Sequence, residues 1–154
     1  DLLALRGDMC FPIEVKSSKK SILYLSGRTV FQYQALAEIG NRCSIQPFYA
    51  YRLKGVRGDS WRIFRVKTEG LTGKQRLLSR RVPELPLTRN GTPYLDWEKG
   101  LPLHKFLSLI SKSENSNSIL YSKTEEENSF PKNEGVVFQY KSSSDRTASS
   151  LSNS

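Results

Sequence analysis

Met9-Cys-Phe-Pro-Ile-Glu-Val-Lys16 alternates apolar and charged residues toward its end, Ile13-Glu-Val-Lys16. It reads as a strand, and successive side chains of a strand point to opposite faces. Ile13 and Val15 therefore enter one face, and Glu14 and Lys16 the other. Just upstream, Asp1-Leu-Leu-Ala-Leu-Arg6 is a short apolar run of the kind a buried strand shows. Gly7-Asp8 separates the two as a turn, and so short a connection demands antiparallel pairing. The midpoint between Asp1 and Glu14 falls on that turn. The hairpin is thus expected to bring Asp1 beside Glu14, so that two carboxylates and an ammonium group converge at one end of a sheet.

Downstream, residues 21–25 read as a third strand, broken by Ser26-Gly27, with Thr29 as the helix N-cap. Residues 30–41 space Val30, Ala37 and Ile39 as a helix does, and Gly40-Asn41 reads as its stop. Residues 45–53 form an aromatic and apolar run, a buried strand. Residues 55–60 form a turn, and residues 61–66 a last strand with alternating faces. The order strand, strand, strand, helix, strand, strand predicts an α/β fold with a central mixed β-sheet and a helical crossover. Residues 67–100 are rich in Pro, Gly and Arg and read mostly as loop. Residues 101–110 predict a short amphipathic helix that caps the sheet or meets a partner subunit.

Charge divides the chain. It carries 24 Lys plus Arg against 15 Asp plus Glu, a net +9. Residues 1–81 hold 16 basic and 6 acidic side chains, whereas residues 82–154 hold 8 and 9. The whole excess therefore lies in the first half, which points to a polyanionic partner, most often nucleic acid. From residue 111 onward, 13 of 44 positions are serine. Such a segment offers too little apolar surface to offset its ordering entropy, so residues 1–110 are expected to form the domain and 111–154 a mostly disordered tail. Gly135-Val-Val-Phe-Gln-Tyr140 is an apolar island within it.

Several chemistries are disfavoured. Cys10 and Cys43 make neither a metal spacing nor a disulfide framework. The single histidine, His104, excludes a multi-histidine zinc site within this chain and weakens a nucleophilic triad. No apolar run approaches the ~20 residues of a membrane span, and no basic-then-apolar signal opens the chain. A reduced, cytoplasmic protein without a membrane partner is expected. The first residue is Asp rather than Met, which suggests a piece of a longer product.

The converging set Asp1, Glu14 and Lys16 suits metal-assisted phosphodiester hydrolysis. Two carboxylates are hard oxygen ligands for Mg²⁺, which fills its remaining shell with water and substrate phosphate. A lysine beside them orients the attacking water or stabilises the added negative charge. A surface ion pair is the plain alternative for Glu-x-Lys alone. The upstream Asp and the basic run Ser17-Ser-Lys-Lys20 favour the catalytic reading.

With these residues in hand, the sequence resembles the archaeal Holliday junction resolvase family of the PD-(D/E)xK nuclease superfamily. Asp1-Leu-Leu-Ala-Leu, the tight turn and Ile13-Glu-Val-Lys-Ser-Ser-Lys-Lys20 carry the resemblance. Leu23-Tyr-Leu25, the helix with Gln32, Pro47-Phe-Tyr-Ala-Tyr-Arg-Leu53, Trp61-Arg-Ile-Phe64 and the segment 101–110 extend it over roughly residues 1 to 110. The resemblance implies a restriction-endonuclease-like sheet flanked by helices. It also implies a Mg²⁺-dependent endodeoxyribonuclease, with Mn²⁺ as a substitute, that resolves four-way junctions in DNA recombination and repair. Asp1, Glu14 and the Val15 carbonyl would hold the metal, Lys16 would serve the attacking water, and Gln32 would lie beside the site. A homodimer would place two sites about a twofold axis to cut opposing strands. Lys19, Lys20, Arg28, Arg57, Arg76, Arg80 and Arg81 would grip the branched DNA through phosphates. The family's amino-terminal helix, with a glutamate near the metal, and the basic loop after it would lie upstream of Asp1. A non-catalytic DNA-binding or scaffold protein on the same fold is the alternative.

Weaker signals have plainer readings. Arg6-Gly-Asp8 and Arg57-Gly-Asp59 fall in expected hairpin turns, where Gly and Asp belong. His104 reads as a helix-surface residue. Tyr49, Tyr51, Trp61 and Phe64 have strand spacing and read as core or interface before base-stacking platforms.

Overall fold

A computed structural model describes residues 1–112. Strand β1 (Leu2–Arg6) and strand β2 (Met9–Ser18) pair antiparallel, with Leu2 opposite Ile13 and Arg6 opposite Met9. The two-residue turn between them has Gly7 at φ 56°, while Asp8 keeps a negative φ. A turn with its first central residue at positive φ is of type II′, whose twist matches that of the flanking strands. The turn therefore sets the register of the whole hairpin.

Strand β3 (Ile22–Tyr24) and helix α1 (Arg28–Cys43) follow, and then strand β4 (Phe48–Leu53), which pairs parallel to β2. Strand β5 (Trp61–Arg65) runs antiparallel to β4. Helix α2 (Gly73–Ser79), strand β6 (Tyr94–Asp96) and a two-residue strand β7 (Leu101–Pro102) come next. Residues 103–112 are helical, here helix α3. The mixed sheet has the order β1-β2-β4-β5-β7, and β3 pairs with β6 in a separate two-stranded sheet. The chain is thus α/β with a five-stranded mixed sheet and helices. Among the described residues no helix is long and apolar enough to cross a membrane.

Alternation along the strands divides the core in two. Phe11, Phe48, Ala50 and Ile63 pack against Leu78 and Val82 near α2 and against Phe106 and Ile110 of α3. Tyr49, Tyr51 and Phe64 face the other way, against Leu25, Leu85, Leu95 and the Val30, Tyr33, Leu36 and Ala37 stripe of α1. That stripe has the spacing of one helical face. Leu101–Pro102, expected to open the last helix, instead form β7 within the sheet, and α3 caps the sheet through Phe106 and Ile110.

Several expectations need correction. The run 1–6 is an edge strand and not a buried one: Leu3 is 62 % and Leu5 73 % exposed, whereas only Ala4, on the other face, packs against the core. Strand β3 leaves the main sheet and pairs with β6, a non-local partner with no local signal. Helix α1 begins after Gly27 and runs past Gly40-Asn41 to an αL cap at Ser44 (φ 53°). Thr29 lies inside α1, where its hydroxyl both accepts from Ser26 N–H and donates to Ser26 C=O. Gly40 serves close approach instead of termination, since a Cβ there would lie 2.8 Å from Pro47 Cδ. The segment 67–100 contains α2 and β6, both too short for a periodic pattern. Residues 111 and 112 continue α3, and the apolar island at 135–140 and the rest of the expected tail lie outside the described residues.

Candidate active site

Glu14 and Lys16 project from β2 toward α1, on the face opposite Ile13 and Val15. Glu14 is buried at 5 % exposure, and Lys16 Nζ donates to its Oε1 at 2.5 Å. A second Lys16 hydrogen bond, 2.8 Å long, goes to Gln32 Oε1 one turn into α1. The ammonium is therefore fixed between a strand carboxylate and a helix amide. A carboxylate this buried is stable in its charged form only with such a partner.

The register of the hairpin carries Asp1 to this point. Leu2 faces Ile13, so the next position along places Asp1 opposite Glu14. Directly opposed residues of an antiparallel pair share a face. From Val15 onward β2 has no strand on its β1 side among the described residues, since the pairing there begins at Ile13. Pro12 precedes the first residue paired to β4, so its missing N–H interrupts no bond to that strand.

Beneath this set lies Tyr49, opposite Glu14 in the β2–β4 register and fully buried. Its hydroxyl has no hydrogen-bond partner among the described residues. Burial, and then the charge of Glu14 and neighbouring Tyr33, push the phenol well above its ordinary range. Tyr51, opposite Lys16, donates its hydroxyl to the Lys20 carbonyl and so pins the chain leaving β2. Tyr49, Tyr51 and Phe64 are all core residues with no exposed ring to offer a base.

The expected DNA-contacting residues separate into two groups. Lys19 and Lys20 directly follow β2. Arg57 lies in the β4–β5 connection, which is tied to β2 by Lys54 N–H donating to Ser18 C=O at 2.7 Å. Arg28 opens α1 one turn before Gln32 and shares its helix face. These four lie at the Lys16 end of β2. Arg76, Arg80 and Arg81 lie on and just after α2, across the sheet. Lys74 of that helix pairs with Asp8 at 2.9 Å, in the turn at the far end of β2, roughly 25 Å along the strand from Lys16 at ~3.3 Å per residue. The Lys74 hydrogen bond lowers the Asp8 carboxyl from its ordinary value.

The remaining signals resolve simply. Both Arg-Gly-Asp sequences lie at hairpin connections, with Gly58 at φ 82° in the second. His104 is exposed on α3, with Nδ1 3.2 Å from Asp59. Tyr49 and Arg65 were not singled out as site residues from sequence. Tyr49 reads as one more core aromatic, and the place of Arg65 depends on where α2 packs.

The donor set fits Mg²⁺. Continuing the β1–β2 register one residue past Leu2 sets Asp1 opposite Glu14, two hard carboxylate donors, and among the described residues no cluster of three or more His, Cys, Asp or Glu exists. Two carboxylates match a cation that keeps water and substrate phosphate in its shell. No family model, curated protein or solved structure matches the chain.

Proposed function

We propose that this chain is a metal-dependent endodeoxyribonuclease with a restriction-endonuclease-like fold, related to the archaeal resolvases that cut four-way DNA junctions. The observation that carries the reading is the buried Glu14–Lys16 pair on alternate positions of β2, braced by Gln32, with Asp1 one residue beyond the Leu2–Ile13 pair. The basic residues at the same end of β2 support a DNA substrate.

Asp1, Glu14 and the Val15 carbonyl would hold Mg²⁺, with Mn²⁺ as a substitute. The bound ion supplies Lewis-acid polarisation of the scissile phosphate and lowers the pKa of a nearby water. Lys16 holds the attacking water by hydrogen bond and offsets the negative charge that builds at phosphorus. Gln32 keeps the ammonium in place through its amide oxygen, so it acts as a positioning residue. Water adds to phosphorus, the P–O bond to the 3′ or 5′ oxygen breaks, and a phosphate monoester and a hydroxyl end result. Lys19, Lys20, Arg28 and Arg57 hold the flanking backbone through phosphates. A homodimer would offer two such sites to opposing strands of a junction in recombination and repair, in the cytoplasm.

The test is incubation of a labelled four-way junction and its matched linear duplex with the protein, in Mg²⁺, Mn²⁺ or EDTA. The reading requires metal-dependent nicks on opposing strands of the junction and little cutting of the duplex. Tight junction binding with no cutting in either metal would instead make the chain a DNA-binding module.

A further inference from the structure

On the sheet face away from Glu14 and Lys16, the end of β5 meets α2 around a cavity of about 400 Å³. Arg65, Arg76 and Arg80 line it, together with Thr68, Ser79 and Leu71. Arg65 is opposite Phe48 in the β4–β5 register, and Phe48 belongs to the core packed under α2 and α3. The cavity is therefore separate from the carboxylate–lysine site. Its size lies in the range of small-ligand pockets.

The charge here is poorly compensated. Arg65 Nη2 pairs with Glu84 at 2.6 Å. Among the described residues no carboxylate pairs with Arg76 or Arg80. Three guanidinium groups against one carboxylate leave about two positive charges around one recess. Cations at the carbonyl end of a helix are favoured, which explains Arg76 and Arg80 individually. It does not explain why a strand brings Arg65 to the same recess, nor why two like charges stand one turn apart, where they repel.

Guanidinium groups bind phosphate oxygens bidentately, with more geometric specificity than an ammonium group. A backbone diester carries one negative charge and lies along a convex strand. A phosphomonoester carries close to two near neutral pH and can enter a recess. The excess charge, the recess and the Ser79 hydroxyl favour the monoester, while the Thr68 hydroxyl already donates to the Val66 carbonyl at 3.0 Å. We propose that this cavity binds a terminal phosphomonoester, carried either by a free mononucleotide or by the 5′ end of a DNA strand.

The experiment is calorimetric titration of the full chain in EDTA, so that no cleavage contributes and failure of the nuclease reading leaves this result intact. The probes are inorganic phosphate, a nucleoside 5′-monophosphate, and a ten-nucleotide single strand with and without its 5′-phosphate. Arg76 and Arg80 are exposed, so Arg76→Gln with Arg80→Gln is expected to keep the fold, checked by circular dichroism. That variant should lose at least tenfold in affinity for the monophosphate. A charge-matched control outside the lining, Arg89→Gln with Lys105→Gln, should change it less than twofold. A phosphorylated strand that binds more tightly than its hydroxyl twin and the mononucleotide assigns the site to strand ends. Equal binding of mononucleotide and phosphorylated strand assigns it to free nucleotides. No saturable monophosphate binding, or equal losses in the two variants, overturns the proposal.

Discussion

Replacing Lys16 with Met removes the only cation that, among the described residues, pairs with a carboxylate 5 % exposed. Breaking a fully buried pair costs ~3 to 5 kcal/mol, because the remaining charge keeps its desolvation penalty. Lys16 retains 18 % of its side-chain exposure, so solvent shares the load and ~2 to 4 kcal/mol is the expected loss. At ~4 °C per kcal/mol for a domain of this size, Tm should fall by ~8 to 16 °C. The Gln32 amide oxygen also loses its donor, which adds to the cost. Adding Glu14→Gln to Lys16→Met removes the stranded charge and should recover most of the loss, a coupling of ~1 to 3 kcal/mol. If Glu14 holds metal, Mg²⁺ should rescue Lys16→Met but not the double variant. Mg²⁺ at 100 times its Kd would supply ~2.7 kcal/mol. Differential scanning calorimetry of wild type, both single variants and the double variant, with and without Mg²⁺, measures all of this. A Lys16→Met protein melting within ~2 °C of wild type would refute the reasoning, since ~0.5 kcal/mol is the scale of a solvated surface pair.

Three further outcomes follow from the same geometry. Tyr49→Phe should be neutral or stabilising by up to ~1 kcal/mol at neutral pH, because it deletes a buried hydroxyl without a partner. The folded-state pKa of Tyr49 is raised, so its contribution is complete below the unfolded value near ~10 and declines above it by up to ~1.4 kcal/mol per pH unit. Urea midpoints at several pH values from 9 to 11 should therefore fall less steeply for Tyr49→Phe, and identical slopes would contradict this. Gly40→Ala places a Cβ 2.8 Å from Pro47 Cδ and 3.0 Å from Ile45 O. Overpacking of ~1 to 3 kcal/mol should outweigh the ~1 kcal/mol gain in helix propensity, leaving a loss of about 1 kcal/mol by urea denaturation. Lys19→Gln with Lys20→Gln should lower the salt slope of junction affinity by ~1.8, at ~0.9 per phosphate contact. An unchanged slope would place the DNA elsewhere.

The hairpin was legible because its determinants are local. Gly7-Asp8 between two apolar runs specifies both the turn and the register, and the register alone brings Asp1 opposite Glu14. Helix α1 was legible as an element, but its end was not. Gly40 resembles a stop, and only the packing of Pro47 reveals why glycine stands there. The apolar run 1–6 looks alike whether a strand is central or at an edge, so the exposure of Leu3 and Leu5 could not be read from it. Helix α2 and strand β6 owe their form to tertiary burial of Leu78 and Leu95 more than to any period of their own. The same non-locality separated the arginines near α2 from the lysines after β2, although the linear sequence presents one basic half.

The central claim is that Glu14 serves metal-dependent strand cleavage and not DNA binding. Its most direct test is single-turnover cutting of a labelled four-way junction in Mg²⁺ by wild type and Glu14→Gln, with junction affinity measured on the same preparations. The expected result is cutting reduced by at least ~100-fold, the scale on which lost transition-state charge stabilisation is felt, with affinity within about twofold of wild type. Cutting by Glu14→Gln at the wild-type rate would contradict the claim.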